Sequence, residues 1–98
     1  MAIDVEWQDE RGACIRRYAG PAVEADFVQS AAADSRCLQF IDPYGDTTFN
    51  ARQLEELERE LAAIAAGGGD AARTADSLMA FIRTVQDRTH AYLKFIGD

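Results

Sequence analysis

The fold depends on residues 42–50, which read Asp-Pro-Tyr-Gly-Asp-Thr-Thr-Phe-Asn. The first five predict a tight turn, because Asp suits its first position, Pro fixes φ at the second and Gly fits the fourth. Residues 47–49 then continue as a short β-segment. Before the turn, residues 37–41 predict a partner strand in which Leu38 and Phe40 share one face. The stretch as a whole therefore predicts a β-hairpin.

The clearest helix follows at Asn50. Its side chain can accept a hydrogen bond from the first turn of the helix, and Gln53 stands at the spacing of a capping box. The apolar residues of this segment form one helical stripe: Leu54, Leu57, Leu61 and Ile64. Glycines at residues 67–69 end the pattern, and Asp70 is placed to cap a further helix. The sequence therefore predicts a helix over residues 50–66.

A second apolar pattern begins after these glycines and extends to the C-terminus. Its members recur at intervals of three and four residues: Leu78, Ile82, Val85, Thr89, Tyr92 and Ile96. This periodicity predicts a helix over residues 71–96. Residues 91–96 are also rich in aromatic and apolar side chains, which is typical of a strand. Helix is the preferred interpretation of residues 91–96, and strand is the alternative.

The N-terminus carries the signature of a strand. Apolar and polar residues alternate there, and the apolar ones are Ile3, Val5 and Trp7. A period of two predicts a strand with one buried face. Residues 9–12 form a turn signal that includes Gly12, so residues 14–18 predict a return strand and a first hairpin. Residues 21–35 follow a Gly-Pro break and are compatible with a loop or with one short helix.

Together these elements predict an α+β fold in a single domain over residues 1–98. A small antiparallel sheet of three to four strands, arranged as two hairpins, is covered on one face by two C-terminal helices. A chain of 98 residues has room for one hydrophobic core. The predicted core consists of Ile3, Val5, Trp7, Leu38, Phe40, Leu54, Leu57, Leu61, Leu78, Ile82, Val85 and Leu93.

The chain is acidic, with 10 basic and 17 acidic residues and a formal net charge of −7. A nucleic-acid surface needs clustered basic side chains to meet phosphates, so no nucleic-acid partner is expected. An acidic protein instead gains association rate from a basic protein partner.

No membrane partner is expected either. Residues 1–10 lack the basic and apolar regions of a secretory signal, and no apolar run approaches the roughly 18 residues needed to span a bilayer. The expected location is the cytoplasm, where thiols stay reduced. Cys14 and Cys37 are therefore expected to be free and to lie in the core.

The sequence contains none of the motifs typical of nucleophilic, phosphate-binding, dinucleotide-binding or zinc-protease sites, and it predicts no cofactor. One combination of side chains, Asp42 and Asp46 with His90, would suit a small metal-dependent enzyme. The Pro-Gly turn explains both carboxylates without any ligand, because aspartates in turns bond to the local backbone. His90 is expected to be solvated on the second helix, with no carboxylate one turn away.

The most distinctive polar residues form the candidate interaction or turn site, which consists of Asp42, Tyr44, Asp46, Asn50, Glu55 and Glu58. The two glutamates belong to an acidic run over residues 55–60. Such a run is typical of a solvated helix face, and it also offers a surface to a basic partner.

Residues 37–50 and 90–98 resemble a family of small bacterial proteins that share a D-P-Y-G-D-T-x-F-N core and a Y-L-x-F-x-G-D ending. That family carries no settled activity, so the resemblance implies no catalytic residue. Other small acidic proteins of this composition look like immunity or antitoxin partners, which is an analogy of composition. The expected function is a non-catalytic protein-binding module. The alternatives are a structural or regulatory homo-oligomer, such as a homodimer, and the small metal-dependent enzyme.

Overall fold

A β-sheet and two long helices make up the part of the chain that the structure, a computed structural model, describes: residues 2–29 and 35–97. In chain order the elements are β1 (Ala2–Asp9), β2 (Cys14–Arg17), β3 (Val23–Glu24), α1 (Ala25–Gln29), a 3₁₀ turn (Leu38–Phe40), β4 (Asp46–Phe49), α2 (Ala51–Ala65), α3 (Gly69–Ile82) and β5 (Ala91–Ile96). The α+β class is confirmed.

The sheet has the strand order β2-β1-β5-β4, and all of its pairs are antiparallel. The strand β3 also pairs with the start of β1. The first predicted hairpin is confirmed, since β1 and β2 pair across a turn in which Gly12 has a φ of +82°. The first and last strands of the chain, β1 and β5, are neighbours at the centre of the sheet.

The helices cover one face of the sheet. The indole of Trp7 is fully buried there, and its N–H donates to the carbonyl oxygen of Phe81 at 3.2 Å. Burying each such large apolar side chain contributes about 1.5–3 kcal/mol to folding. The other residues of this core with no exposed surface are Leu54, Leu57, Leu61, Ala75, Leu78, Ile82, Leu93 and Phe95.

The capping predictions have two outcomes. The capping box of α2 is confirmed, because Asn50 Oδ1 accepts from the Gln53 N–H at 3.0 Å and Gln53 Oε1 accepts from the Asn50 N–H at 2.9 Å. At α3 the N-cap residue is Gly68, with a φ of +75°. Asp70 lies inside the first turn, where a negative charge meets the positive end of the helix.

The predicted helix over residues 71–96 is wrong beyond Ile82, and the strand alternative for residues 91–96 is confirmed. Beyond the end of the helix, Arg88 of the following loop donates to the carbonyl oxygens of Val85 and Ile82 at 3.0 and 3.2 Å. In β5 every second side chain then points into the core. Val85, predicted as core, lies in that loop and is only half-buried.

The predicted strand over residues 37–41, and with it the second hairpin, is also wrong. Residues 38–40 form the 3₁₀ turn, and β4 pairs with β5 instead. A strand here would need its backbone N–H groups for pairing, but Glu60 on α2 accepts from those of Cys37 and Leu38. Phe40 consequently leaves the predicted core and is 66% exposed.

The remaining predictions concern residues 21–35 and the cysteines. The structure shows β3 and the short helix α1 in the described part of that segment, and residues 30–34 lie outside the described residues. Both cysteines are free; Cys37 is buried as predicted, whereas Cys14 is exposed on β2 and does not belong to the core. Within the described ranges, no helix is long and apolar enough to cross a membrane.

Candidate functional site

The two stretches that carry the family resemblance, residues 37–50 and 90–98, contact each other at one end of the sheet. The N–H of Gly97 donates to the carbonyl oxygen of Gly45 at 2.7 Å, directly beyond the pairing of β4 with β5. A Cβ on Gly97 would lie 2.6 Å from the carbonyl carbon and oxygen of Pro43. Only glycine allows this close approach, so the turn over residues 42–46 is held tightly against the end of β5.

Both aspartates of the turn are engaged in local contacts. Asp42 Oδ1 accepts from the Tyr44 N–H at 2.8 Å, and the Asp42 N–H donates to the Thr47 hydroxyl at 3.0 Å. Asp46 Oδ2 lies 3.2 Å from Lys94 Nζ on β5. These contacts support the structural interpretation of the turn, in which each carboxylate stabilises the backbone or pairs with a cation.

His90 lies far from this turn. It precedes β5, in a loop rather than on a helix, and its Nδ1 is 3.1 Å from Glu10 Oε2. Asp46 is paired with Ile96 at the opposite end of the strand. Six residues of strand separate the two ends, which at roughly 3.3 Å per residue is about 20 Å. The structure therefore does not bring Asp46 and His90 into one site, and the described residues contain no group of three or more His, Cys, Asp or Glu able to hold a metal ion.

The acidic run on α2 is mostly occupied by contacts within the chain. Glu58 binds Arg88 at 2.9 Å and lies 3.9 Å from Arg83. Glu60 binds backbone N–H groups of the segment that carries the 3₁₀ turn. Of the two candidate glutamates, Glu55 is exposed and Glu58 is half-buried. Glu60 is half-buried as well, so the prediction of a solvated acidic face is wrong for Glu58 and Glu60.

Two large aromatic side chains are exposed beside the turn. Tyr44 is 72% exposed within it, and Phe40, two residues before Asp42, is 66% exposed. We call these two residues the exposed aromatic pair. The sequence analysis singled out Tyr44 but assigned Phe40 to the core. The segment of Phe40 is bound by Glu60, which is more than 20 residues away along the chain. No local pattern could have revealed it.

The strand that follows the exposed aromatic pair, β4, is an edge strand of the sheet. No other strand in the described ranges pairs with its outer edge. In an antiparallel pair the residues that face away from the neighbour alternate with those that bond to it. Since Gly45 bonds to Gly97, the backbone groups of Asp46 and Thr48 face outward. The exposed aromatic pair and the outer edge of β4 thus lie on consecutive segments of chain.

The buried cysteine, Cys37, has a thiol that ionises only at high pH. Burial, together with the carboxylates of Glu60 and Glu56, which disfavour a nearby thiolate, raises the pKa of the Cys37 thiol to about 11. The reactive form of cysteine is the thiolate, so Cys37 is unsuited to nucleophilic chemistry near neutral pH.

Comparisons with protein-family models, with curated proteins and with solved structures give no match for this chain. The functional argument therefore depends on the geometry of its own residues.

Proposed function

We propose that the protein is a non-catalytic protein-binding module, of the immunity or antitoxin kind, that holds a basic protein partner through the exposed aromatic pair and the outer edge of β4. The observation that carries the proposal is the exposure of Phe40 and Tyr44 on a segment that is otherwise firmly held by internal contacts.

Aromatic side chains on a rigid segment suit a binding role. Aromatic residues are enriched in the cores of protein interfaces, where they supply a large contact area with few rotatable bonds. The backbone around Tyr44 is held by Asp42 and Gly97, and that around Phe40 by Glu60. Little conformational entropy is then lost when a partner covers the two rings.

The adjacent edge of β4 offers a second contact of the same kind. A partner strand can add to an open sheet edge, with backbone hydrogen bonds supplying affinity and neighbouring side chains supplying specificity. The outward groups of Asp46 and Thr48 provide the donors and acceptors for such pairing. The edge is four residues long, which matches a short docked segment better than an extended sheet.

The charge of the chain favours a basic partner. A net charge of −7 attracts positively charged proteins and repels nucleic acids, and this attraction weakens as salt screens exposed charges. The free thiols of Cys14 and Cys37 fit a bacterial cytoplasm, which we include in the proposal as the place of action.

The proposal is tested by affinity capture from a bacterial extract, followed by identification and titration of the captured protein. The test variant is Phe40→Ser with Tyr44→Ser, and the matched control is Ile15→Ser, which removes a half-exposed apolar side chain from β2 at the other edge of the sheet. We expect roughly tenfold or greater loss of affinity in the double variant, because interface aromatics contribute about 2 kcal/mol or more. Equal binding by wild type and double variant would contradict the proposal.

A homo-oligomer is the second candidate, and the same edge favours it, because a second copy of β4 could extend the sheet. Sedimentation velocity over a wide range of concentration separates the two. A mass that stays at that of one chain supports the binding module, whereas a concentration-dependent rise that the double variant abolishes supports the oligomer.

A further inference from the structure

Two rows of side chains cross the open face of the sheet, which is the face opposite the helices. Three residues of neighbouring strands form the first row, from β1 through β5 to β4: Asp4, Ile96 and Asp46. Four residues form the second row, from β2 through β1 and β5 to β4: Arg17, Glu6, Lys94 and Thr48. The first row thus carries two carboxylates and no cation, whereas the second carries two cations and one carboxylate.

Both rows reach the outer edge of β4, which is suited to accept a further strand. Its register with β5 is regular from Asp46 to Phe49, and the backbone groups of Asp46 and Thr48 face outward. The opposite edge strand, β2, has a register shift beside Trp7 and carries two arginines. Such irregularities and charges protect sheet edges from strand addition. A strand that joins this sheet is therefore expected at β4.

Asp46 has spare capacity to bind a cation at this edge. One of its oxygens, Oδ2, lies 3.2 Å from Lys94 Nζ, and its side chain is 53% exposed. The other oxygen, Oδ1, makes no hydrogen bond or ion pair within residues 2–29 and 35–97. Because an ionised carboxylate can accept about four hydrogen bonds, Asp46 can bind a second cation beside Lys94.

We propose that the edge of β4 binds an extended segment of the partner protein in an antiparallel pair, with a basic side chain, Lys or Arg, directly beside Asp46. The choice of this edge rests on the proposed function, and the requirement for a basic residue at one position goes beyond it. In the added strand, the position beside Asp46 continues the acidic first row. The position beside Thr48 continues the row that contains Lys94, so a cation is disfavoured there.

The geometry of strand pairing brings the two charges together. Side chains directly opposite each other on neighbouring strands have Cβ atoms about 4.5–5.5 Å apart, where opposite charges stabilise the pair and like charges destabilise it. Since the backbone groups of Asp46 face outward, the residue beside it exchanges backbone hydrogen bonds with Asp46. Backbone and side chain then select the same position of the partner.

The test uses the peptide Ac-Thr-Val-Thr-Lys-Thr-Val-Thr-amide and a counterpart with Glu in place of Lys. Each is titrated at low salt into the ¹⁵N-labelled full chain and followed by NMR. We expect the wild type to bind the lysine peptide roughly three- to tenfold more tightly than the glutamate peptide. On binding, the amides of Asp46 and Thr48 should become protected from hydrogen exchange. Those of Thr47 and Phe49 face β5 and should change little.

Methylation of the peptide backbone separates strand addition from simple attraction between charges. A methyl group on the backbone nitrogen of the lysine removes the donor that faces β4 and should weaken binding roughly fivefold or more. A methyl group on the nitrogen of the preceding threonine, which faces away from β4, is the matched control and should weaken binding less than about twofold. Equal effects of the two methyl groups would overturn strand addition.

Variants of the protein test the position of the charge. Asp46→Asn should reduce the preference for lysine over glutamate to less than about twofold, as should high salt. The matched control is Asp4→Asn, which neutralises the other carboxylate of the first row. Asp4 lies three strand spacings, about 14 Å, from the added strand, so this variant should keep the preference.

Three further results would overturn the proposal. They are no preference for lysine in the wild type, a preference that Asp46→Asn leaves unchanged, and protected amides of Asp46 and Thr48 before any peptide is added, which would mean that a second copy occupies the edge. No captured partner enters this experiment, and the capture test depends on Phe40 and Tyr44 instead. A failure with the peptides therefore leaves the capture result standing, and a failed capture leaves the peptide result standing.

Discussion

The carboxylate of Glu60 on α2 accepts a hydrogen bond from the backbone N–H of Leu38 at 2.9 Å. The same carboxylate accepts from the N–H groups of Arg36 and Cys37, so one side chain satisfies three consecutive backbone donors. These bonds hold the segment in a conformation in which Leu38 is buried and Phe40 is exposed. An acidic residue that looks like part of a solvated face thus binds the segment that carries the exposed Phe40.

Replacing Glu60 should destabilise the protein more than its position on an acidic helix implies. In Glu60→Gln the charge is lost and one oxygen becomes a donor that faces other donors, so we expect a loss of about 1.5–3 kcal/mol in the free energy of unfolding. Urea denaturation followed by circular dichroism measures it. The control is Glu55→Gln on the same helix, with an expected change within about 0.5 kcal/mol. Equal effects of the two variants would contradict the role given to Glu60.

The two thiols should differ sharply in reactivity. At pH 8 a thiol with a pKa of about 11 is ionised roughly one-hundredth as often as one with the ordinary value of 9.0, and Cys37 is also shielded from reagents. A disulfide reagent should therefore label exposed Cys14 quickly and Cys37 only on unfolding. The variant Cys14→Ser should show no rapid phase. Rapid labelling of two thiols in the native protein would contradict the burial of Cys37.

The same raised pKa predicts a loss of stability at alkaline pH. Below pH 9 Cys37 is protonated in both the folded and the unfolded chain, and its contribution is fully present. Between pH 9 and about 11 the unfolded chain ionises while the folded chain keeps its proton, so stability falls as pH rises. In Cys37→Ala the fall in the free energy of unfolding over this range should be smaller than in wild type.

The single tryptophan should report on the core directly. Trp7 is fully buried, bonds to the carbonyl of Phe81 and lies under the guanidinium of Arg88, 5.8 Å from the ring centre. Native fluorescence should be blue-shifted and should move to the red on unfolding. Trp7→Phe leaves a cavity and removes the indole hydrogen bond, while the carbonyl of Phe81 keeps its bonds from Thr84, for an expected cost of about 2–4 kcal/mol. Emission typical of exposed tryptophan in the native state would contradict the position of β1.

Gly97 should tolerate no side chain. An alanine there would press its Cβ against the carbonyl of Pro43, so Gly97→Ala must move either the turn or the end of β5. We expect a loss of about 1–3 kcal/mol, the usual cost of forcing one methyl group into a filled space. NMR shift changes should concentrate around Gly45 and Asp46. Wild-type stability and unchanged shifts at those residues would contradict the close approach.

The turn aspartates should behave as structural groups. Asp46→Asn removes the partly exposed pair with Lys94, for an expected cost of about 0.2–1 kcal/mol. Calorimetric titration of wild type with Mg²⁺, Mn²⁺ and Zn²⁺ should show no stoichiometric binding. Binding in wild type that Asp46→Asn abolishes would instead revive a metal site at the turn.

Local patterns in the sequence determined several elements by themselves. The alternation around Trp7 predicted β1, and the pair of Asn50 with Gln53 predicted where α2 begins. The turn over residues 42–46 followed from the positions of its proline and glycine. These features depend on contacts within a few residues of chain, so their signals are complete in the sequence.

Tertiary structure decided the elements whose local patterns were ambiguous. The apolar period of residues 91–96 favoured a helix over a strand, but pairing with β1 and β4 selected the strand, which puts Leu93 and Phe95 into the core. No glycine or proline marks the end of α3, where the carbonyl oxygen of Ile82 accepts from Arg88 in the loop beyond. At the candidate site, Glu60 binds the segment that carries the exposed Phe40 from more than 20 residues away. Such contacts form only after the chain has folded, so no sequence window contains them.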